Sequence, residues 1–133
     1  MIEPGELGAI LDAMLEGVQI LSPDWRYLHV NEAAARQGQR TKAELLGSSL
    51  LSCYPGIEQT PFFATLRQCM AERTSRVLEN EFTFPDGSTG WFELRIDPVP
   101  LGLCILSIEI TAKKLAEEAR NRAEQRLATA ERV

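Results

Sequence analysis

The chain has 133 residues, 44% of them hydrophobic and 25% charged, with a formal net charge of −5. That length suits one domain with a real core plus an appendage. An acidic balance with no basic stripe argues against a nucleic-acid surface. No apolar run approaches a membrane span, and the start Met1-Ile2-Glu3-Pro4-Gly5 lacks the basic and apolar regions of a signal peptide. Cys53, Cys69 and Cys104 are odd in number and far apart. They fit reduced thiols in a cytoplasmic setting better than a disulfide framework or a zinc site.

Leu7, Ile10, Leu11, Met14 and Leu15 follow i, i+3, i+4 spacing, so an amphipathic helix ended by Gly17 is expected first. Val18–Leu21 reads as a strand, Ser22-Pro23-Asp24 as a turn and Trp25–Val30 as a second strand, antiparallel to the first. Asn31 is placed to cap a helix from Glu32 to Gln37, with Gly38 as its stop. Thr41-Lys42-Ala43-Glu44 is a capping box, opening a short helix to about Leu46 and a stop at Gly47. Ser48–Pro55 reads as a loop holding one helical turn. Thr60-Pro61 is the sharpest start signal: a cap followed by proline at the first helical position. Its helix carries Phe62, Phe63, Leu66, Cys69 and Met70 on one face and ends near Arg73.

Three strand-like runs follow. Arg76–Phe84 leads into Pro85-Asp86-Gly87, a hairpin turn in which proline presets φ and glycine accepts a positive one. In Thr89–Ile96, Phe92, Leu94 and Ile96 alternate with Trp91, Glu93 and Arg95, as in a half-buried strand. Asp97–Gly102 reads as a proline-rich turn. Leu103–Ile110 is apolar on both side-chain parities, which predicts a central strand buried on both faces. The order predicts an α+β domain: one five-stranded antiparallel sheet with the middle helices on one face.

After Glu109-Ile110-Thr111 the chain turns charged and Ala-rich. Ala112, Ala116, Ala119, Ala123, Ala130 and Val133 alternate spacings of four and three, with Arg126 breaking the seam, so a weak coiled-coil helix is expected. Residues 1–111 are therefore assigned to the folded domain and 112–133 to a connector helix.

From Leu7 to Glu118 the chain resembles a PAS domain, the sensor module of bacterial histidine kinases, cyclic-dinucleotide enzymes and transcription regulators. Ile10–Val18 looks like the family's entry helix and first strand. Tyr27–Ala34 resembles its second strand and Asn-capped helix, and Glu44-Leu45-Leu46-Gly47 its helix-to-glycine step. Phe82–Gly87, Trp91-Phe92-Glu93 and Asp97-Pro98-Val99 resemble the last hairpins. Glu109-Ile110-Thr111, followed by Lys113–Glu118, looks like the Asp-Ile-Thr signal-transfer motif and the start of a signalling helix. Glu109 stands where the family has Asp; its extra methylene changes reach and is expected to rearrange an ion pair at the junction. The resemblance implies a PAS fold, a homodimer, and an output domain in the same protein, such as the histidine kinase of a two-component system. It also implies that Glu109 and Thr111 pass a signal to the helix beyond.

No residue set points to catalysis. His29 is the only histidine and lies mid-strand without a carboxylate or cysteine near it in sequence, and Gly-rich phosphate loops and nucleophile elbows are missing. A non-enzymatic module is expected. Flavin-binding relatives place a reactive cysteine in Asn-Cys-Arg just after the helix-ending glycine, whereas Gly47 is followed by Ser48-Ser49-Leu50 and Cys53 comes too late. Haem-binding relatives supply a histidine from the middle helix, and Thr60–Arg73 holds none. Both cofactors are disfavoured, and none is named in their place. What remains is a ligand pocket between sheet and helices. Its candidate lining is Phe62, Phe63, Leu66, Cys69 and Met70 facing Trp91, Leu94 and Ile105, with His29 and Tyr54 as polar tips. The competing expectation is a filled core in a ligand-free dimerisation or interaction spacer.

Overall fold

The computed structural model describes residues 4–131. The seam position Val133 and the first residues of the chain's start lie outside them. The elements are α1 (Pro4–Ala13), β1 (Gly17–Leu21), β2 (Tyr27–Val30), α2 (Glu32–Gln37), α3 (Lys42–Leu45), α4 (Leu50–Cys53), a 3-10 turn (Ile57–Gln59), α5 (Pro61–Glu72), β3 (Arg76–Thr83), β4 (Thr89–Val99), β5 (Gly102–Glu109) and α6 (Thr111–Glu131). The strands form one antiparallel sheet in the order β2-β1-β5-β4-β3. The first and last strands in sequence thus pair at its centre.

One face of the sheet carries the core. Leu21, Phe92, Leu94, Ile96, Leu103 and Ile105 meet Leu45, Leu50, Ile57, Phe62, Phe63, Leu66 and Cys69 from the helical layer. Burying each large side chain contributes roughly 1.5–3 kcal/mol. Local chemistry starts α2, α3 and α5 where the sequence says. Thr41 and Glu44 form the reciprocal capping box, and Thr60 accepts from the Phe63 amide ahead of Pro61. Gly87 adopts φ 86° in the β3–β4 turn, a region that costs glycine little.

Asn31 does more than cap α2. Its Oδ1 accepts from the amides of Val18 (2.8 Å) and Ala34 (2.9 Å), and its Nδ2 donates to the carbonyls of Leu11 (2.7 Å) and Glu16 (3.0 Å). One fully buried side chain therefore ties α1, β1 and α2 together. Asp12 adds to the tie by accepting from the Glu32 amide and from Lys42 Nζ at 2.9 Å.

Four sequence-based expectations change. The first helix stops at Ala13, leaving Met14 and Leu15 beyond it; Leu7 and Ile10 are half exposed and Leu15 almost fully. The second strand begins at Tyr27, because the Ser22 turn extends through Trp25, which sits at φ 67°. β4 runs on through Asp97-Pro98-Val99, paired with Cys104, Leu103 and Gly102. β3 begins opposite Ile96, so Pro98 faces no β3 neighbour and its missing N–H breaks no ladder bond. Lastly, β5 is central but not buried on both faces: Leu103, Ile105 and Ser107 are buried, Cys104 and Leu106 half-buried, and Ile108 is 47% exposed. Its outer parity lies on a sheet face that the helical layer does not cover.

Candidate functional site

A cavity of about 80 Å³ lies between the inner sheet face and the helices. Its aromatic side is a chain of edge-on contacts: Phe62 to Phe82 (centroids 5.1 Å), Phe82 to Phe92 (5.6 Å) and Phe84 to Phe92 (6.4 Å). Leu21, Leu45, Leu50, Ile57, Leu94 and Ile105 supply aliphatic wall. The polar groups come from Gln19 on β1, Tyr27 on β2, Gln37 on α2, Tyr54 after α4 and Ser107 on β5.

Most of that polarity is internally satisfied. Ser107 Oγ donates to Gln37 Oε1, and Gln37 Nε2 donates back to the Ser107 carbonyl at 3.1 Å. Tyr54 Oη donates to the Gly38 carbonyl at 2.9 Å. Gly38 is needed for close approach there, because a Cβ at that position would collide with the Tyr54 hydroxyl. Burial pushes the Tyr54 hydroxyl up to about 12, with the Arg40 guanidinium pulling the other way. Burial likewise raises Tyr27, so both phenols stay protonated at neutral pH. Arg40 does not line the cavity. It bonds the Cys53 carbonyl at 2.8 Å, pairs with Glu44 at 3.3 Å and lies 5.6 Å from the Tyr54 ring centroid.

Of the ten residues expected to line a pocket, Tyr54, Phe62, Leu94 and Ile105 do so. The other six sit elsewhere. Phe63 packs on Trp25 at 4.9 Å under Arg67, Leu66 and Cys69 are fully buried core, and half-buried Met70 lies against that core with Arg73 on its sulfur. The reason is geometric: α5 meets the cavity only at its first turn, and its remaining face is filled by the sheet. His29 pairs with Ile20, which pairs with Cys104, so it belongs to the outer parity; its Nε2 is buried without a hydrogen-bond partner among the described residues. Trp91 is also on that outer parity, opposite Glu81. Conversely, Gln19, Tyr27, Gln37 and Ser107 were not anticipated. The signal was present, since Gln19 and Ser107 fall on the inward parity of otherwise apolar strands.

The cavity wall runs directly into the start of α6. Ser107 lies two residues before Glu109 on β5. The Thr111 hydroxyl donates to Glu109 Oε2 at 2.9 Å and accepts from the Trp91 amide at 3.0 Å, while the Ile110 amide donates to the Trp91 carbonyl at 2.8 Å. One hydroxyl thus joins the end of β5, the start of β4 and the first residue of α6. The ion pair near this junction is Lys114 with Glu79 on β3, its ammonium 4.9 Å from the Trp91 ring centroid. Lys114 holds the Glu79 carboxyl below its ordinary value, and Glu79 raises Lys114 in return. Glu109 therefore hydrogen-bonds locally, and the charge pairing falls one helical turn further on. Beyond that turn the helix is exposed, with Leu127 63% exposed.

No helix among the described residues is long and apolar enough to cross a membrane, and no described cluster of His, Cys, Asp and Glu could hold a metal ion. Residues 11–115 match a family model described as PAS fold. Among solved structures, the chain is similar to an RNA-binding Light-Oxygen-Voltage receptor, with TM-score 0.70 and 19% identity over 96% of this chain and 37% of the other. It spans little over a third of that receptor. It is also similar to the PAS domain of a protein from Colwellia psychrerythraea (TM-score 0.67, 12% identity, 81% of this chain and 97% of the other). A third likeness is to a domain of the sensory box sensor histidine kinase/response regulator from Geobacter sulfurreducens (TM-score 0.63, 18% identity, 78% and 91%). No curated protein matches the chain in sequence.

Proposed function

The chain belongs to the PAS family, and on that premise we propose that it is a sensory module whose cavity takes a small molecule and whose last strand reports occupancy to α6. One observation carries this reading. β5 contributes Ile105 and Ser107 to the cavity wall and, two residues later, Glu109 to the hydrogen bonds that fix the start of α6. A ligand that favours one setting of β5 would shift the population of α6 orientations by its differential affinity for the two settings. Glu109 and Thr111 act as positioning residues in this scheme. The output is a domain joined through α6, such as a histidine kinase, so the chain works as a cytoplasmic regulator rather than a catalyst. Two copies pair through α1 and the α6 seam, which covers the exposed Leu7, Ile10 and Leu15.

A broad thermal-shift screen of small metabolites tests the sensing step. A compound bound in the cavity raises the melting temperature by mass action. A library without a single stabilising compound would favour the second reading, a ligand-free dimerisation spacer, for which the exposed α1 side chains are the supporting observation.

A further inference from the structure

Resting on the reading of this cavity as a sensory site, we propose that its ligand is uncharged and presents a hydrogen-bond donor and acceptor on one small planar group, as a simple amide does. Tyr27 and Gln19 are the residues that would hold it. Among the polar groups of the wall, Gln37 and Ser107 satisfy each other and Tyr54 donates to Gly38. Two groups are left over. Tyr27 is 3% exposed and lines the cavity, yet its hydroxyl makes no hydrogen bond among the described residues. The Gln19 side chain, on the inward parity of β1, makes none there either. A hydroxyl and a carboxamide that face the cavity without a protein partner are open there to water or a ligand.

The leftover set defines the chemistry it would accept. A phenol both donates and accepts, and a carboxamide presents two donors and an acceptor. Together they complement a group that does both in turn. Charge is selected against, because among the described residues no ionised side chain lines the cavity, and Arg40, the cation near Tyr54, is engaged by Cys53 and Glu44. An ion entering such a wall loses its hydration without a counter-charge to replace it. Size sets the last limit: about 80 Å³ is well below the roughly 300–1,000 Å³ of drug-sized sites. A handful of non-hydrogen atoms fits. The aromatic side formed by Phe62, Phe82 and Phe92 would take the apolar end.

Acetamide and acetate are nearly the same shape and differ in charge, so they test the assignment directly. Titrating each into the ¹⁵N-labelled chain, with backbone amide shifts followed by NMR, should show saturable changes at Gln19, Tyr27, Leu94 and Ile105 with acetamide. Acetate should bind at least tenfold more weakly. Tyr27→Phe keeps the ring and should weaken acetamide about tenfold, the size of one hydrogen bond; Gln19→Leu should act similarly, and retained amide dispersion shows that either variant is folded. Acetate binding as tightly as acetamide would overturn the ligand class while leaving the sensory reading standing. Acetamide binding that ignores both substitutions would overturn the role of Tyr27 and Gln19. No shift at cavity amides with either probe would overturn the proposed ligand class, and the thermal-shift screen then decides separately whether the cavity senses anything.

Discussion

Replacing Thr111 by valine isolates the hydroxyl at the strand-to-helix junction, because valine keeps the shape and β-branching of threonine. Two bonds disappear: the one accepted from the Trp91 amide at 3.0 Å and the one donated to Glu109 at 2.9 Å. Glu109 is exposed and water replaces its lost donor, so that bond contributes little. The Trp91 amide bond is part-buried and finds no substitute acceptor, so the expected cost is about 1–2 kcal/mol. That cost falls on the junction, since the core residues of the sheet are untouched. A loss of this size raises the open population of a two-state element about 5–30-fold. Native-state amide exchange reads it directly, because local opening exposes Trp91 and the first turn of α6 without global unfolding. Thr111→Val should therefore speed exchange at Trp91 and Lys114 by that factor while core amides such as Ile105 hold. Thr111→Ser should restore protection. Unchanged exchange at Trp91 in the valine variant would refute the assignment of the hydroxyl as the joint.

Asn31→Ala removes four side-chain hydrogen bonds, two buried and two part-buried, one of them the α2 cap, so urea denaturation should show a loss of about 3 kcal/mol or more; a loss under about 1 kcal/mol would show that α1 is not held there. The Glu79 carboxyl lies below its ordinary value of 4.5 because of Lys114, so its stabilisation is present above that value and lost as pH falls through the lower folded one. Protection of the first α6 turn should accordingly decline on acidification below about pH 4.5 in the wild type. The decline should flatten in Glu79→Gln, and identical acid profiles would contradict the pairing. Gly38→Ala would push the Tyr54 hydroxyl off the Gly38 carbonyl, lowering the melting temperature by several degrees and shifting the Tyr54 ring resonances; a variant with unmoved resonances would show that the approach is not tight.

What was legible in the sequence was local. The caps at Asn31, Thr41 and Thr60 and the turn at Gly87 depend on residues within a few positions, and the helices and turn formed there. Five antiparallel strands with the last one central could be read, but not their order, because pairing of β1 with β5 joins residues such as Gly17 and Ser107 across most of the chain. Which face of an apolar element meets a void was not legible. Phe62 and Leu66 belong to one helical face, yet one borders the cavity and the other is sealed in core, a difference set by ångström-scale packing rather than periodicity. The apolar run of β5 overstated its burial, since Cys104, Leu106 and Ile108 are apolar but face away from the helices. The contact of Lys114 with Glu79 was invisible for the same reason as the strand order: it joins two elements that only the closed sheet brings together.

The central claim is that cavity occupancy and the start of α6 are coupled through β5 and Thr111. The direct measurement is amide exchange across Ile110–Leu115, with and without a saturating cavity-binding compound from the thermal-shift screen, in the wild type and in Thr111→Val. The account predicts a severalfold change in exchange on binding in the wild type. In the valine variant that change should vanish while the compound still binds with unaltered affinity. Cavity amides that respond to the compound while Ile110–Leu115 stay indifferent in the wild type would contradict it.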